Sequence, residues 1–205
     1  MDPNNATDKT LSWHSDNTAA VTVNSAGCIT GVSDGFAKIT ATANNGQSAF
    51  CVVHCKTVLH LSELNGNTEL PSRANVEYVR SMSAGWNSVC LPFALNMSML
   101  DKIEKDCRIA LVKSISDRGA RIQDVDGVSA GQPCLIYVPV PKSFRFEIDN
   151  AELTTEPVNS GCLKGTFQKK VIGQGAYKLS QDGASFAKTV GEDAICYSYR
   201  AYIVK

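Results

Sequence analysis

Apolar and polar residues alternate along most of this chain in short runs. The stretch AAVTVNSAGCITGV (19–32) alternates, turns at Ser25-Ala26-Gly27 and alternates again. AKITATANNGQSAFCVVHC (37–55) repeats the design around Asn44-Asn45-Gly46. Period-2 alternation predicts half-buried strands, and Asn-Gly between two such runs is a strong hairpin signal. Further strands are predicted over NVEYVRSM (75–82), NSVCLPFAL (87–95), RIALVKSI (108–115), GQPCLIYVPV (131–140) and SFRFEIDNAEL (143–153). GAYKLSQDGASFAKT (175–189) predicts two short strands around Asp182-Gly183, and AICYSYRAYIV (194–204) one strand of alternating aromatics. The one helical pattern is SMLDKIEKDC (98–107), with Ser98 as cap and Met99, Leu100, Ile103 and Cys107 on one face.

Between residues 57 and 74 the alternation loosens, which predicts a linker between a first domain at 1–56 and a second at 75–205. Strands at this spacing, with Gly and Asn turns, predict an antiparallel sandwich. Composition narrows the partners. Lys plus Arg and Asp plus Glu are 20 each, and no basic block is present, which argues against nucleic acid. No window approaches the length of a membrane span, and the first residues, MDPNNATDKT, have no signal-peptide pattern.

Residues 3–55 resemble the bacterial Ig-like group 2 domain. The matching positions are Pro3, Ala6, Thr7, Trp13, Ser15, Val21, Val23, Gly27, Ile29, Thr30, Gly31, Gly35, Ala37, Ile39, Ala41, Cys51 and Val53. The resemblance implies a β-sandwich with Trp13 between its sheets, and Gly31 and Gly35 suit backbone with positive φ. Family members begin with an edge strand and a core strand that have no counterpart here. The expectation is therefore a partial sandwich with exposed apolar surface and an open edge, within a longer exported protein.

Residues 75–205 resemble a β-rich C-terminal module of Bacteroides and Prevotella surface proteins. The resemblance rests on Trp86 to Phe93 (WNSVCLPF), Ala130 to Ile136 (AGQPCLI), Gly175 to Phe186 and Arg200 to Tyr202 (RAY). It implies a setting, the envelope of a host-associated bacterium, and no reaction. The expected fold class is all-β: a partial Ig-like β-sandwich, then an antiparallel β-sandwich-like domain with one short helix.

Candidate chemistry is sparse. Cys90 sits within GWNSVCLPF, and a cysteine nucleophile needs a base, normally histidine. His14, His54 and His60 all precede residue 75, so a packed core thiol is favoured over a half-cystine, and both over a nucleophile. Cys51 and Cys55 share one strand face about 13 Å apart, too far to bond each other, with His54 on the opposite face. Cys28 is placed to meet Cys51 across the sheet. Asp124-Val125-Asp126-Gly127 lacks the later ligands of a calcium loop and reads as a polar turn. No catalytic, cofactor or metal residues are assigned. Trp86, Tyr197, Tyr199 and Tyr202 offer two readings, packing or a sugar-stacking platform, and Arg200 is placed to stack on tyrosine or pair with a carboxylate. The expected function is non-enzymatic, adhesion or spacing at the cell surface or outside the cell. Its partner would be a host or bacterial surface protein or a glycan, and the alternative is a carbohydrate-binding accessory module.

Overall fold

A computed structural model describes residues 10–66, 69–116, 119–159, 161–191 and 194–204. Pro3, Ala6 and Thr7 of the Ig-like pattern lie outside the described residues. The chain divides into two compact units, Met1–Thr57 and Val58–Lys205.

The first unit contains β1 (Leu11–Ser15), β2 (Val21–Val23), β3 (Ile29–Gly31), β4 (Gly35–Ala43) and β5 (Ser48–Cys55). An antiparallel sheet ordered β1-β4-β5 packs on the β2-β3 hairpin. Both predicted turns form. Gly46 N–H donates to Ala43 O and Ala43 N–H to Gln47 O at 2.9 Å, with Gly46 at φ 82°. At the other turn Gly27 has φ 81°, and a Cβ there would lie 2.6 Å from the Trp13 indole. Gly27 thus serves the turn and the aromatic together. Gly35 takes φ 149°, as expected. Gly31 does not have positive φ; it leaves room instead, since a Cβ there would lie 2.6 Å from Cys55 Sγ.

Ala20, Val21, Ala37 and Ile39 form this unit's buried core, with Trp13, Val23, Val53 and Cys55 packed around it. The last strand, β5, is an edge, and most of it is exposed on both faces, Phe50 and Val52 included. Cys28 and Cys51 are free thiols, so the bond considered between them does not form. His54 stacks on Phe36 at 4.1 Å, on the face opposite Cys51 and Cys55.

The second unit begins where a linker was expected. β6 (Val58–Ser62) pairs in parallel with β7 (Arg73–Met82), and Leu61 and Leu70 are buried in the main core. From Val58 onward the described residues of this loosened stretch therefore belong to the second unit, because short apolar pairs rather than a long alternation anchor them. β8 (Gly85–Val89) and β9 (Leu95–Asn96) split the strand expected over 87–95. Pro92 lies in the gap, where it offers no N–H to a ladder. The helix α1 (Met97–Asp101) is capped by Asn96, whose Oδ1 accepts from Met99 N–H at 3.1 Å, while Ser98 Oγ donates to the same oxygen. Ser98 is thus inside the helix rather than its cap.

The chain continues through β10 (Arg108–Ser116), β11 (Gly119–Val125), β12 (Gly127–Val128), β13 (Cys134–Val138) and β14 (Lys142–Glu152). It ends in β15 (Leu163–Thr166), β16 (Lys170–Val171), β17 (Tyr177–Leu179), β18 (Phe186–Lys188), β19 (Ile195–Cys196) and β20 (Arg200–Ile203). The sheets are ordered β14-β7-β6, β11-β10-β13-β8 and β15-β20-β17-β18, with small ribbons β12-β9 and β16-β19. The main core holds Val76, Tyr78, Ile136, Val138, Phe144 and Phe146. A second cluster, around Leu135, Leu163, Ala201 and Ile203, includes Trp86 from β8. β13 therefore feeds Ile136 to one core and Leu135 to the other. That double burial explains its unbroken apolar run, CLIYV. Among the described residues no helix is long and apolar enough to cross a membrane, which says nothing of strands.

Candidate functional site

Cys90 is fully buried between β8 and Pro92. Its N–H donates to Tyr199 O at 2.9 Å and its Sγ to Gly131 O at 3.3 Å. A Cβ on Gly165 would overlap Cys90 Sγ, so the missing side chain at 165 makes the thiol's pocket. Burial first, then the neighbouring Cys134 and Cys196, pushes the Cys90 thiol far above the ordinary range. A thiol held neutral this way is a packing group. Cys134 is pushed up to about 12 by burial alone among its raising causes. His60, on β6, belongs to the second unit after all, but its side chain is mostly exposed and its Nδ1 contacts Glu77 Oε2.

A group that the sequence reading passed over lies on β7. Val76, Tyr78, Arg80 and Met82 all point inward from that strand. An arginine at the third of four core-facing positions must find a counter-charge, because burial strips a lone cation of the hydration that stabilises it in water. Arg80, with its side chain 2% exposed, meets it in Glu63: Nε lies 2.6 Å from Oε1. Arg80 Nη1 also donates to Ser88 O at 2.7 Å. Arg200 reaches the same carboxylate from β20, its Nε donating to Oε1 at 2.6 Å and Nη2 to Oε2 at 2.9 Å. Two guanidinium groups thus share one carboxylate. The signal for Arg80 was present in the inward register of V76-Y78-R80-M82. Nothing local in the sequence marks Glu63 as its partner.

Beside this triad opens a cleft of about 800 Å³. The β8 residues Trp86, Asn87 and Ser88 line one side, and the β17–β18 hairpin with the segment around Tyr197 lines the other. Within the hairpin, Lys178 and Ala187 share one face, and Tyr177, Leu179, Phe186 and Lys188 share the other. Lys178 and Lys188 line the cleft, while Tyr177 and Phe186 line a separate groove of about 530 Å³ together with Ile115, Ile122 and Ile203. Trp86 and Leu179 border both spaces. Lys178 Nζ donates to Ile195 O at 3.0 Å, which orients the ammonium without neutralising it.

The four aromatics considered for a platform part company here. Trp86 is half-buried, edge-on to Tyr137 with ring centroids 5.4 Å apart, and the Arg108 guanidinium lies 5.2 Å from its ring. Tyr197 is 44% exposed and borders the cleft, with Arg200 5.8 Å and Lys169 Nζ 5.9 Å from its ring centre. Tyr199 is fully buried against Tyr78 and Phe167. Tyr202 is 7% exposed and packs with Ala176 and Cys196. Tyr199 and Tyr202 therefore belong to cores and not to a platform. The reason is a break in the expected final strand: the chain turns at Ser198-Tyr199, with Tyr199 at φ 56°, so β19 and β20 are separate and the alternation resets. Arg200 does both things expected of it, pairing with Glu63 and lying over Tyr197.

Asp124 is paired with Arg108, Nε to Oδ2 at 2.9 Å and Nη2 to Oδ1 at 3.1 Å, within the β10–β11 pair. Among the described residues no group of three His, Cys, Asp or Glu is placed to hold a metal ion.

No curated protein matches the chain. A family model described as Bacterial Ig-like domain (group 2) matches residues 1–53, the β1–β5 unit almost to its end, and that unit is what the chain shares with the family.

Proposed function

We propose that this chain is a non-enzymatic module of a bacterial cell-surface or secreted protein, acting in adhesion or as a structural spacer. The observation that carries the proposal is the tandem of a unit similar to bacterial Ig-like domains and a larger all-β unit. Rigid β units of this kind present loops and clefts for contact while the sheets fix their geometry. The second unit's resemblance to envelope modules of host-associated bacteria supports the same setting. The partner is a host or bacterial surface protein.

A second reading, a carbohydrate-binding accessory module, is favoured by the cleft. It joins Trp86 and Tyr197 to hydroxyl and amide side chains in a volume typical of small-ligand sites. One screen separates the two. The purified chain is tested against immobilised matrix proteins and a glycan array in parallel. A saturable protein hit that survives Tyr197→Ala supports adhesion. Saturable glycan binding that Tyr197→Ala reduces at least tenfold, with unchanged circular dichroism, supports the second reading. Binding of neither class overturns both and leaves the spacer role.

A further inference from the structure

Among the described residues, the long edge strands are not protected alike. β11 and β14 each carry charges of both signs and meet their one neighbour through a register shift. Charges and bulges of this kind keep an open edge from taking up another strand. β5 has neither. Its sequence, SAFCVVHC, contains no Lys, Arg, Asp, Glu or Pro, and its register with β4 runs unbroken from Ser48 to Cys55. Phe50 and Val52 are 67% and 64% exposed.

The ladder shows which backbone groups face outward. Ala43 N–H donates to Gln47 O, and on the far side of β4 Lys38 O accepts from Asp16 N–H of the β1 side. Alternation along an antiparallel pair therefore turns Ala49, Cys51, Val53 and Cys55 toward β4. Ser48, Phe50, Val52 and His54 turn their N–H and C=O to the free edge.

We propose that β5 pairs antiparallel with β5 of a second copy, about a two-fold axis at Cys51. In that register Ser48 lies opposite the second copy's His54, and Phe50 opposite the second copy's Val52. Every outward N–H and C=O of the four residues then has a partner. A shift by two residues would leave Ser48 or His54 unpaired. The register also keeps like faces together, so Phe50 and Val52 form aromatic–β-branched pairs across the junction. The two β1-β4-β5 sheets become one continuous sheet, closed by the two-fold axis. Charge does not oppose the pairing: Lys38, beside Val52, is separated from its mate by three strand spacings, about 14 Å, beyond the screening length at physiological salt. A foreign strand would be selected by charges or pockets along the edge, and β5 presents only a neutral run that matches itself.

The axis makes a specific mark. Cys51 is an exposed free thiol, and the two copies of it would face each other at a non-hydrogen-bonded position, with Cα atoms about 4.5 Å apart, within the span of a disulfide. The experiment is sedimentation velocity of the full chain, with diamide cross-linking read by peptide mapping. Diamide takes up the two protons and two electrons of the thiols and becomes the hydrazine as the S–S bond forms. One strand pair is a small interface, so the dimer is sought up to about 0.5 mM. The expected result is a reversible dimer whose cross-link joins Cys51 to Cys51, is lost in Cys51→Ser and is kept in Cys28→Ser. Val52→Lys and Val52→Pro should each weaken it at least tenfold with unchanged circular dichroism. The second removes an N–H that points away from β4 and leaves that ladder complete. A dimer weakened by both variants but cross-linked elsewhere than Cys51 overturns the register. A dimer that both variants leave intact, or a monomer throughout, overturns the pairing. A monomer that binds a fluorescent Thr-Val-Thr-Val-Thr-Val peptide, and loses it in Val52→Pro, overturns the second copy and assigns the edge to a foreign strand.

Discussion

Glu63 is the residue on which the second unit's polar interior depends. Removing it leaves Arg80 buried without a counter-charge, and breaking a buried pair in this way costs about 3–5 kcal/mol, far more than such a pair contributes relative to apolar side chains. Glu63→Ala is therefore expected to destabilise the second unit by about 3 kcal/mol, at the lower end because Glu63 itself retains 22% exposure. Urea denaturation read by far-UV circular dichroism checks it. Glu152→Ala is the control. It removes an ion pair with Arg73 in which both partners are largely exposed, and the midpoint should stay where it is. Equal effects from the two variants would mean that the triad's burial does not carry the energy assigned to it.

At the scale of elements, the β2–β3 hairpin shows how one glycine can serve two constraints. Gly27 and Gly46 have nearly the same backbone, φ 81° and 82°, so a side chain at either position incurs the left-handed strain. Only Gly27 also faces Trp13; around Gly46 nothing lies within 4 Å. Gly46→Ala is expected to cost about 1 kcal/mol and Gly27→Ala about 2–3 kcal/mol, with the indole displaced. Thermal unfolding of the two variants, together with tryptophan emission, tests the ordering. Hairpins of this kind were legible in the sequence because the turn residues and the flanking alternation are local signals. The interruption at Ser198-Tyr199 was not. No Gly or Pro marks it, and Tyr199 accepts φ 56° because Tyr78 and Phe167 hold its ring in the core.

The whole molecule consists of two units with unequal cores. Four buried apolar residues form the core of the first, against twenty-one in the main cluster of the second, counted over the described residues. Hydrophobic stabilisation scales with the apolar area removed from water, so the first unit should melt at the lower temperature. Scanning calorimetry of the full chain is expected to show two transitions. Gly27→Ala should shift only the lower one and Glu63→Ala only the upper. A single transition moved by both variants would mean that the units unfold as one cooperative body.

The sequence by itself determined the all-β class, the hairpins of the first unit, the buried Cys90 and the resemblance over the first fifty or so residues. Each of these rests on nearest-neighbour information: side-chain alternation, turn chemistry, or a motif with fixed spacing. Only the tertiary structure decided that the chain enters the second unit at Val58 through a parallel pair, that Tyr199 and Tyr202 are core residues, and that Glu63, Arg80 and Arg200 meet. Residue 63, just after β6, and residue 200, in β20, come together from two different sheets, and nothing in the chain between them encodes the pairing locally.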